Sequence, residues 1–211
     1  MFEPSGSGAP GVPVRVDAYG QGAKPRLQGG GARAAVLLEN VEQWELRNLD
    51  VSNKGAAPGP QERRAGILFR LTDFGTGEHY VVDDVDVHDV NGSDHKGPDP
   101  SGGILFVVGG TATPTRFDGI TVTDSTVKQV DRTGIATASS WGKRPEHPLS
   151  SAPGWAPQHR PDDPQQQGRR RRRRRHRAPA RPPRARRAQR RRRVQHALGR
   201  LQRRHLGVEL R

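Results

Sequence analysis

Apolar positions recur along the first three quarters of this chain in one spaced pattern, apolar–x–(Asn/Asp)–x–x–Val–x–(Asn/Asp/Gln). Leu46, Asn48, Val51 and Asn53 fit it, as do Val82, Asp84, Val87 and Asp89, and then Val122, Asp124, Val127 and Gln129. The leading apolar positions are 36 and 40 residues apart. A second family of runs interleaves with the first: Ala34–Leu38, Ala65–Leu71, Gly102–Val108 and Thr133–Ala138 each open on small residues and continue largely apolar. Three of them carry a Gly-Ile pair, at Gly66-Ile67, Gly103-Ile104 and Gly134-Ile135. Each repeat therefore predicts at least two strands in a fixed order, since the runs are short, flanked by glycine and rich in Val, Ile and Thr. Val12, Val14 and Val16 alternate with polar or proline positions and predict a further short strand.

A period of a few tens of residues signals a solenoid, whose repeats bury their apolar faces only against one another. In the central copy Val85 and Val87 are expected to point inward while Asp84, Asp86 and His88 face elsewhere. Asn48, Asp84 and Asp124 are expected at a bend, where Asn and Asp tolerate tight turns, and to stack into a ladder. The intervening segments Lys54–Arg64, Asn91–Ser101 and Gly109–Arg116 are expected as outward loops. Gly6, Gly8 and Gly11 match a dinucleotide-loop spacing, but no strand precedes them and Pro10 and Pro13 oppose a helix, so residues 1–11 read as loop.

These repeats, VDDVDVHDV followed by SGGI and then VTDSTVKQVDRTGI, resemble the right-handed parallel β-helix superfamily, the pectin-lyase-like fold, of bacterial secreted type. The resemblance covers roughly residues 12–140. It implies an all-β, right-handed parallel β-helix over residues 12–157, incomplete because full members carry more coils. It also implies a secreted or cell-surface parent, with a polysaccharide or other glycan as partner and polysaccharide lyase or glycoside hydrolase chemistry. The signature motifs of pectate lyases and polygalacturonases are absent.

Charge separates the chain into two unlike parts. Residues 158–211 hold 21 Arg and no Lys against Asp162, Asp163 and Glu209, while the rest holds 15 basic and 19 acidic residues. The overall +14 thus belongs to the tail. One reading is a disordered basic arm binding nucleic acid or another polyanion without sequence preference. The other is a shifted reading frame. Arginine codons of the CGN form, read one base late, give only Val, Ala, Asp or Gly, and the three glutamines Gln165–Gln167 give Asn or Ser twice and then Lys or Arg. The shifted string permits another copy of the repeat, with its Gly-Ile pair, about 41 residues after Val122. There is no Cys, which excludes disulfides, and no apolar run approaches the roughly 18 residues of a membrane span. The first residues show no secretory signal.

The candidate chemistry is concentrated in the central copy and after it. His88, with its near-neutral titration, and the carboxylates Asp89 and Asp94 are candidates for general acid/base work or a hydrolase pair. By the resemblance, Lys96 or Arg132 is a candidate proton-abstracting cation, and Asp84 and Asp86 are candidate oxygen ligands for calcium, which would neutralise a uronate. Trp141 with Lys143 and Arg144 suggests a sugar platform beside a carboxylate clamp. The expected function is a piece of an extracellular carbohydrate-active β-helix protein, inactive by itself. The alternatives are a non-catalytic glycan-binding or scaffold β-helix, and nucleic-acid binding through the arginine tail.

Overall fold

The computed structural model describes residues 1–97, 99–143 and 152–158. By its contacts the chain divides into Met1–Pro161 and Asp162–Arg211, and every described residue lies in the first unit. The arginine-rich tail, its proposed disorder and Arg144 lie outside the described residues. Ten strands occur in chain order: β1 Val14–Val16, β2 Arg26–Gln28, β3 Ala34–Glu39, β4 Trp44–Asn53, β5 Ala65–Thr72, β6 Thr76–Val90, β7 Gly102–Gly109, β8 Arg116–Thr123, β9 Thr126–Val130 and β10 Thr133–Ser139. No helix occurs among the described residues, so none is long and apolar enough to cross a membrane.

All the ladders between strands are parallel. One sheet runs β1-β4-β6-β8, with β2 on β4 and β9 on β6, and the other runs β3-β5-β7-β10. The chain passes from the first sheet to the second and back once per rung, with β1–β2 and β8–β9 taking two strands in the first sheet, which makes a parallel β solenoid of four rungs. The period seen in the sequence is the rung. Leu46 pairs with Val82 and Val82 with Val122; Ile67 pairs with Ile104 and Ile104 with Ile135. Val16 extends the first ladder and Val36 the second, in a rung that holds the predicted strands at Val14–Val16 and Ala34–Glu39.

The bend at Asn48, Asp84 and Asp124 is as expected. These residues have φ of 53°, 52° and 46°, the left-handed region that Asn and Asp tolerate. A second stacked corner holds Gln43, His79 and Gly119, also left-handed. One expected equivalence fails. Asn53 does not align with Asp89: it pairs with Val90, because Asp89 is an extra left-handed residue that bulges β6. Asn53 turns inward instead, donating to the carbonyls of Ala32 and Ala65 at 2.8 Å each and accepting the Gly31 amide at 2.9 Å. Equal spacing in sequence hid a one-residue insertion that the β-ladder absorbs.

The core lies between the sheets. Val85 and Val87 are fully buried within it, as the alternation predicts. Phe69 and Phe106, one rung apart, stack at 4.6 Å between ring centres, and Tyr80 and Phe117 meet them edge-on. Such pairs each add about 1 kcal/mol to the area they bury. The Tyr80 hydroxyl donates to the Val41 carbonyl at 2.9 Å, and burial pushes its pKa well up. At the edge of the first rung Phe2 pairs with Val36, and the Trp44 indole donates to the Gly6 carbonyl.

The glycines of the first two Gly-Ile pairs have a packing cause. A Cβ on Gly66 would strike Val87 and approach the Gly103 carbonyl to 2.8 Å; one on Gly103 would strike Val127 and approach the Gly134 carbonyl to 2.7 Å. Gly103→Ala is expected to destabilise by about 1–3 kcal/mol and lower the melting temperature by several degrees. Gly59→Ala, whose Cβ would meet nothing closer than 3.9 Å, is expected to stay within about 0.5 kcal/mol of the parent. Thermal denaturation of the two variants followed by circular dichroism checks this; equal melting points would contradict it.

Candidate functional site

Outward positions on β4, β6 and β9 line up by the same register that builds the core. Asp50, Asp86 and Thr126 form one cross-rung row, and Ser52, His88 and Lys128 form the next. His88 is held between two carboxylates: Nδ1 lies 2.7 Å from Asp89 Oδ2 and Nε2 lies 3.1 Å from Asp50 Oδ1. The bond to Asp89, helped by Asp50, raises the His88 pKa above its ordinary value against partial burial, and the same bond lowers that of Asp89. His88 is thus clamped with both ring nitrogens engaged, and its protonated form is favoured.

Asp84 and Asp86 meet a cation, but it belongs to the chain. Lys24 Nζ donates to Asp84 Oδ1 and Asp86 Oδ2 at 2.8 Å each. Burial alone would lower the Lys24 pKa; the two carboxylates outweigh it and raise it. The Lys24 bond, with one from Thr126, holds Asp86 below the usual carboxylate range. Among the described residues no group of three or more His, Asp or Glu is arranged around a metal position. Calcium takes about six to eight oxygens. Two carboxylates already bridged by an ammonium do not fit it, so no chemistry is derived through that ion here.

Lys24 lies at the end of the excursion between β1 and β2. The same excursion carries Tyr19, fully exposed, between left-handed Gly20 and the Asp17 carboxylate that accepts a bond from Asn48. Sequence inspection missed Lys24, Asp50 and Tyr19. The β1–β2 excursion has no period, and Asp50 is an ordinary outward strand position until the rungs stack.

A cleft of about 390 Å³ opens among the loops. It is lined by Pro58 and Pro60 from one loop, Gly92 to His95 from the next, and Asp131 and Arg132 after β9. The loop between β6 and β7 is pinned from below: Ser93 Oγ donates to the Pro60 carbonyl at 2.6 Å, and Asp131 accepts the Gly92 amide at 3.2 Å. Arg132, at φ 68°, reaches back to the His95 carbonyl at 2.7 Å. Asp94 points mostly into solvent, its side chain 85% exposed, with an oxygen 3.5 Å from His95 Nδ1. Lys96 is exposed on the same loop.

The predicted residues therefore fall into separate settings. Asp94 and Arg132 share the cleft, with His95 and Asp131 added; His88, Asp89, Asp84 and Asp86 share the outer row. Asp89 and Asp94 are not a matched pair, since Asp89 is committed to His88 and Asp94 to the cleft loop. Trp141 gives no platform. It is 3% exposed, packs into the core, and donates its indole N–H to the Gly109 carbonyl at 3.0 Å. A short antiparallel bridge between Gly142 and Trp155 follows it, and Lys143 is exposed.

A second polar group, absent from the sequence-based candidates, sits on the outer face of the β1-β4-β6-β8 segment. Glu45, its side chain 7% exposed, accepts from Arg15 at 2.9 Å and Arg47 at 3.1 Å and lies 2.9 Å from His79 Nε2. Burial would raise the Glu45 pKa; the bonds from His79, Arg47 and Arg15 outweigh it and hold it at about 2. Arg47 also bonds Asp83, which accepts from Thr123 at 2.7 Å. Such a glutamate stays ionised and ties rungs together.

Two crystal structures of a GH136 lacto-N-biosidase from Eubacterium ramulus resemble this fold. The selenomethionine derivative matches with a TM-score of 0.64 and 24% identity, the native protein with 0.57 and 21%. Each match covers 75% of this chain, which spans about a third of that enzyme's length, 32%. The likeness places the chain among parallel β-helix folds. No protein-family model and no curated protein matches the sequence.

Two pH effects follow, of opposite sense. Glu45 has a folded pKa below its ordinary 4.5, so its contribution is present above that value and is lost as pH falls towards about 2. Glu45→Gln is expected to flatten the acid limb of the stability curve by about 2–3 kcal/mol. His88 has a raised folded pKa, so its contribution is present below the ordinary 6.5 and fades as pH rises through the raised value. His88→Gln is expected to remove that alkaline decline. Urea melts between pH 2 and 9 on the parent and both variants check the signs; a parent curve unchanged by either substitution contradicts the assignment.

Proposed function

We propose that this chain is part of a carbohydrate-active β-helix protein of glycosidase type, and that its cleft and outer row bind a neutral glycan. The fold likeness to a lacto-N-biosidase supports the carbohydrate class. The observation that carries the choice of a neutral glycan is the charge of the surface. Asp50, Asp84, Asp86, Asp89, Asp94 and Asp131 stand on this surface, and Lys24, His88 and Arg132 are already engaged, Lys24 and His88 by two carboxylates each and Arg132 by the His95 carbonyl. A uronate polymer would meet like charge there, with no calcium fit to offset it.

In this reading Asp94 and His95, exposed at the mouth, are the groups free to exchange a proton with a bound sugar. Asp131 and Arg132 fix the loop that carries them. Asp50 and Asp89 position His88 rather than react. Tyr19 takes the role first given to Trp141: an exposed ring on a short excursion next to Lys24, able to stack on a sugar face.

Full-length protein is expected to bind neutral oligosaccharides and not oligogalacturonates, read as shifts of the Gly92–His95 and Tyr19 signals in an NMR titration. Asp94→Asn and Tyr19→Ala are each expected to weaken binding about tenfold, near 1.4 kcal/mol, with the fold intact. Preferential binding of the uronate, or neutral-glycan binding indifferent to both substitutions, would sink the proposal. Release of a sugar product from the neutral glycan, abolished by Asp94→Asn, separates a catalyst from a binding module.

A further inference from the structure

We propose that the free face of the last rung is the seat of a fifth rung, and that the DNA encoding residues 163–176 specifies that rung one base out of the frame written here. The first support is packing. Strands β8, β9 and β10 end their sheets and are bonded to a neighbouring strand on one side only among the described residues. In the rung before, Val82, Val87, Val90 and Ile104 are buried; their partners Val122, Val127 and Val130 are half-buried, and Ile135 is 50% exposed. An apolar interior thus continues to an open end.

Gly134 is the second support. Gly66 and Gly103 are glycines because each meets a valine and a carbonyl of the following rung. Gly134 keeps the pattern, yet a Cβ there would meet only Val127, at 3.9 Å. Its glycine is explained by a rung beyond it, with a valine in the place that Val87 and Val127 occupy for the earlier two.

Codon arithmetic supplies that rung. The ladders fix what it must contain opposite residues 122–135: apolar residues opposite Val122, Val127, Val130 and Ile135, residues tolerant of left-handed φ opposite Asp124, Gln129 and Arg132, and glycine opposite Gly134. Read one base late, the codon spanning Asp163 and Pro164 gives Ile or Thr, opposite Val122. The codon spanning Gln165 and Gln166 gives Asn or Ser, at the corner where Asp124 has φ 46°. With CGN arginines, the eight codons beginning at Gly168 through Arg175 give Val, Ala, Asp or Gly. That set includes valine opposite Val127 and Val130, Asp or Gly at the left-handed positions, and glycine opposite Gly134. The codon spanning His176 and Arg177 gives Ile or Thr, opposite Ile135. The fourteen codons align without a gap and permit the required residue at all eight constrained positions, about 41 residues on, beside the earlier spacings of 36 and 40.

The test reads the coding DNA from Ala156 to Arg177 and expresses the frame-restored chain beside the present one. The shifted frame is expected to read Val or Ala at the codons spanning Gly168–Arg169 and Arg171–Arg172, and to read Gly at the codon spanning Arg175–His176. The restored chain is expected to melt several degrees higher, with amides of Thr126–Val130 exchanging at least about tenfold more slowly. Either of two results overturns the proposal: an aspartate at either inward valine position, or a restored chain whose Thr126–Val130 amides exchange as fast as now.

Discussion

Everything in this molecule depends on parallel, in-register stacking of one rung on the next. A parallel strand satisfies its backbone only through neighbours on either side, so every rung is both support and load. The requirement is stricter than a period. Leu46, Val82 and Val122 must lie over one another, and so must Ile67, Ile104 and Ile135, or an inward residue becomes an outward one. Left-handed Asn and Asp residues at the corners let the chain turn without losing the ladder. Where a rung is one residue longer, at Asp89, the extra residue takes the same left-handed geometry and the register resumes.

The same stacking that builds the core builds the outer surface. Because outward residues also fall into rows, Asp50, Asp86 and Thr126 become neighbours across three rungs although each is some 36 to 40 residues from the next. A solenoid face therefore concentrates like charges unless cations are interposed. This chain interposes Lys24 between Asp84 and Asp86 and Arg15 and Arg47 around Glu45, and sets the His88 ring between Asp50 and Asp89 and the His79 ring against Glu45. The result is a set of cross-rung clamps that stabilise the stack.

The loops between strands carry the variation. The Pro58–Pro60 and Gly92–His95 segments rise from adjacent rungs and meet because those rungs stack, which turns two unrelated insertions into the walls of one cleft. Function on such a fold is a property of these walls and rows, while the interior only sets their spacing.

The sequence by itself determined the solenoid, the rung length, the inward valines and the corner residues, because all of these repeat and repetition is visible along one chain. It also singled out Asp94 and Arg132, which line the cleft between the insertions. Only the tertiary structure decided which outward residues meet. That Lys24 fills the place imagined for a metal, that Asp50 completes the clamp on His88, and that Trp141 is buried while Tyr19 is exposed all follow from contacts between rungs. Such contacts join residues dozens of positions apart, and no local pattern of hydrophobic and polar residues encodes them.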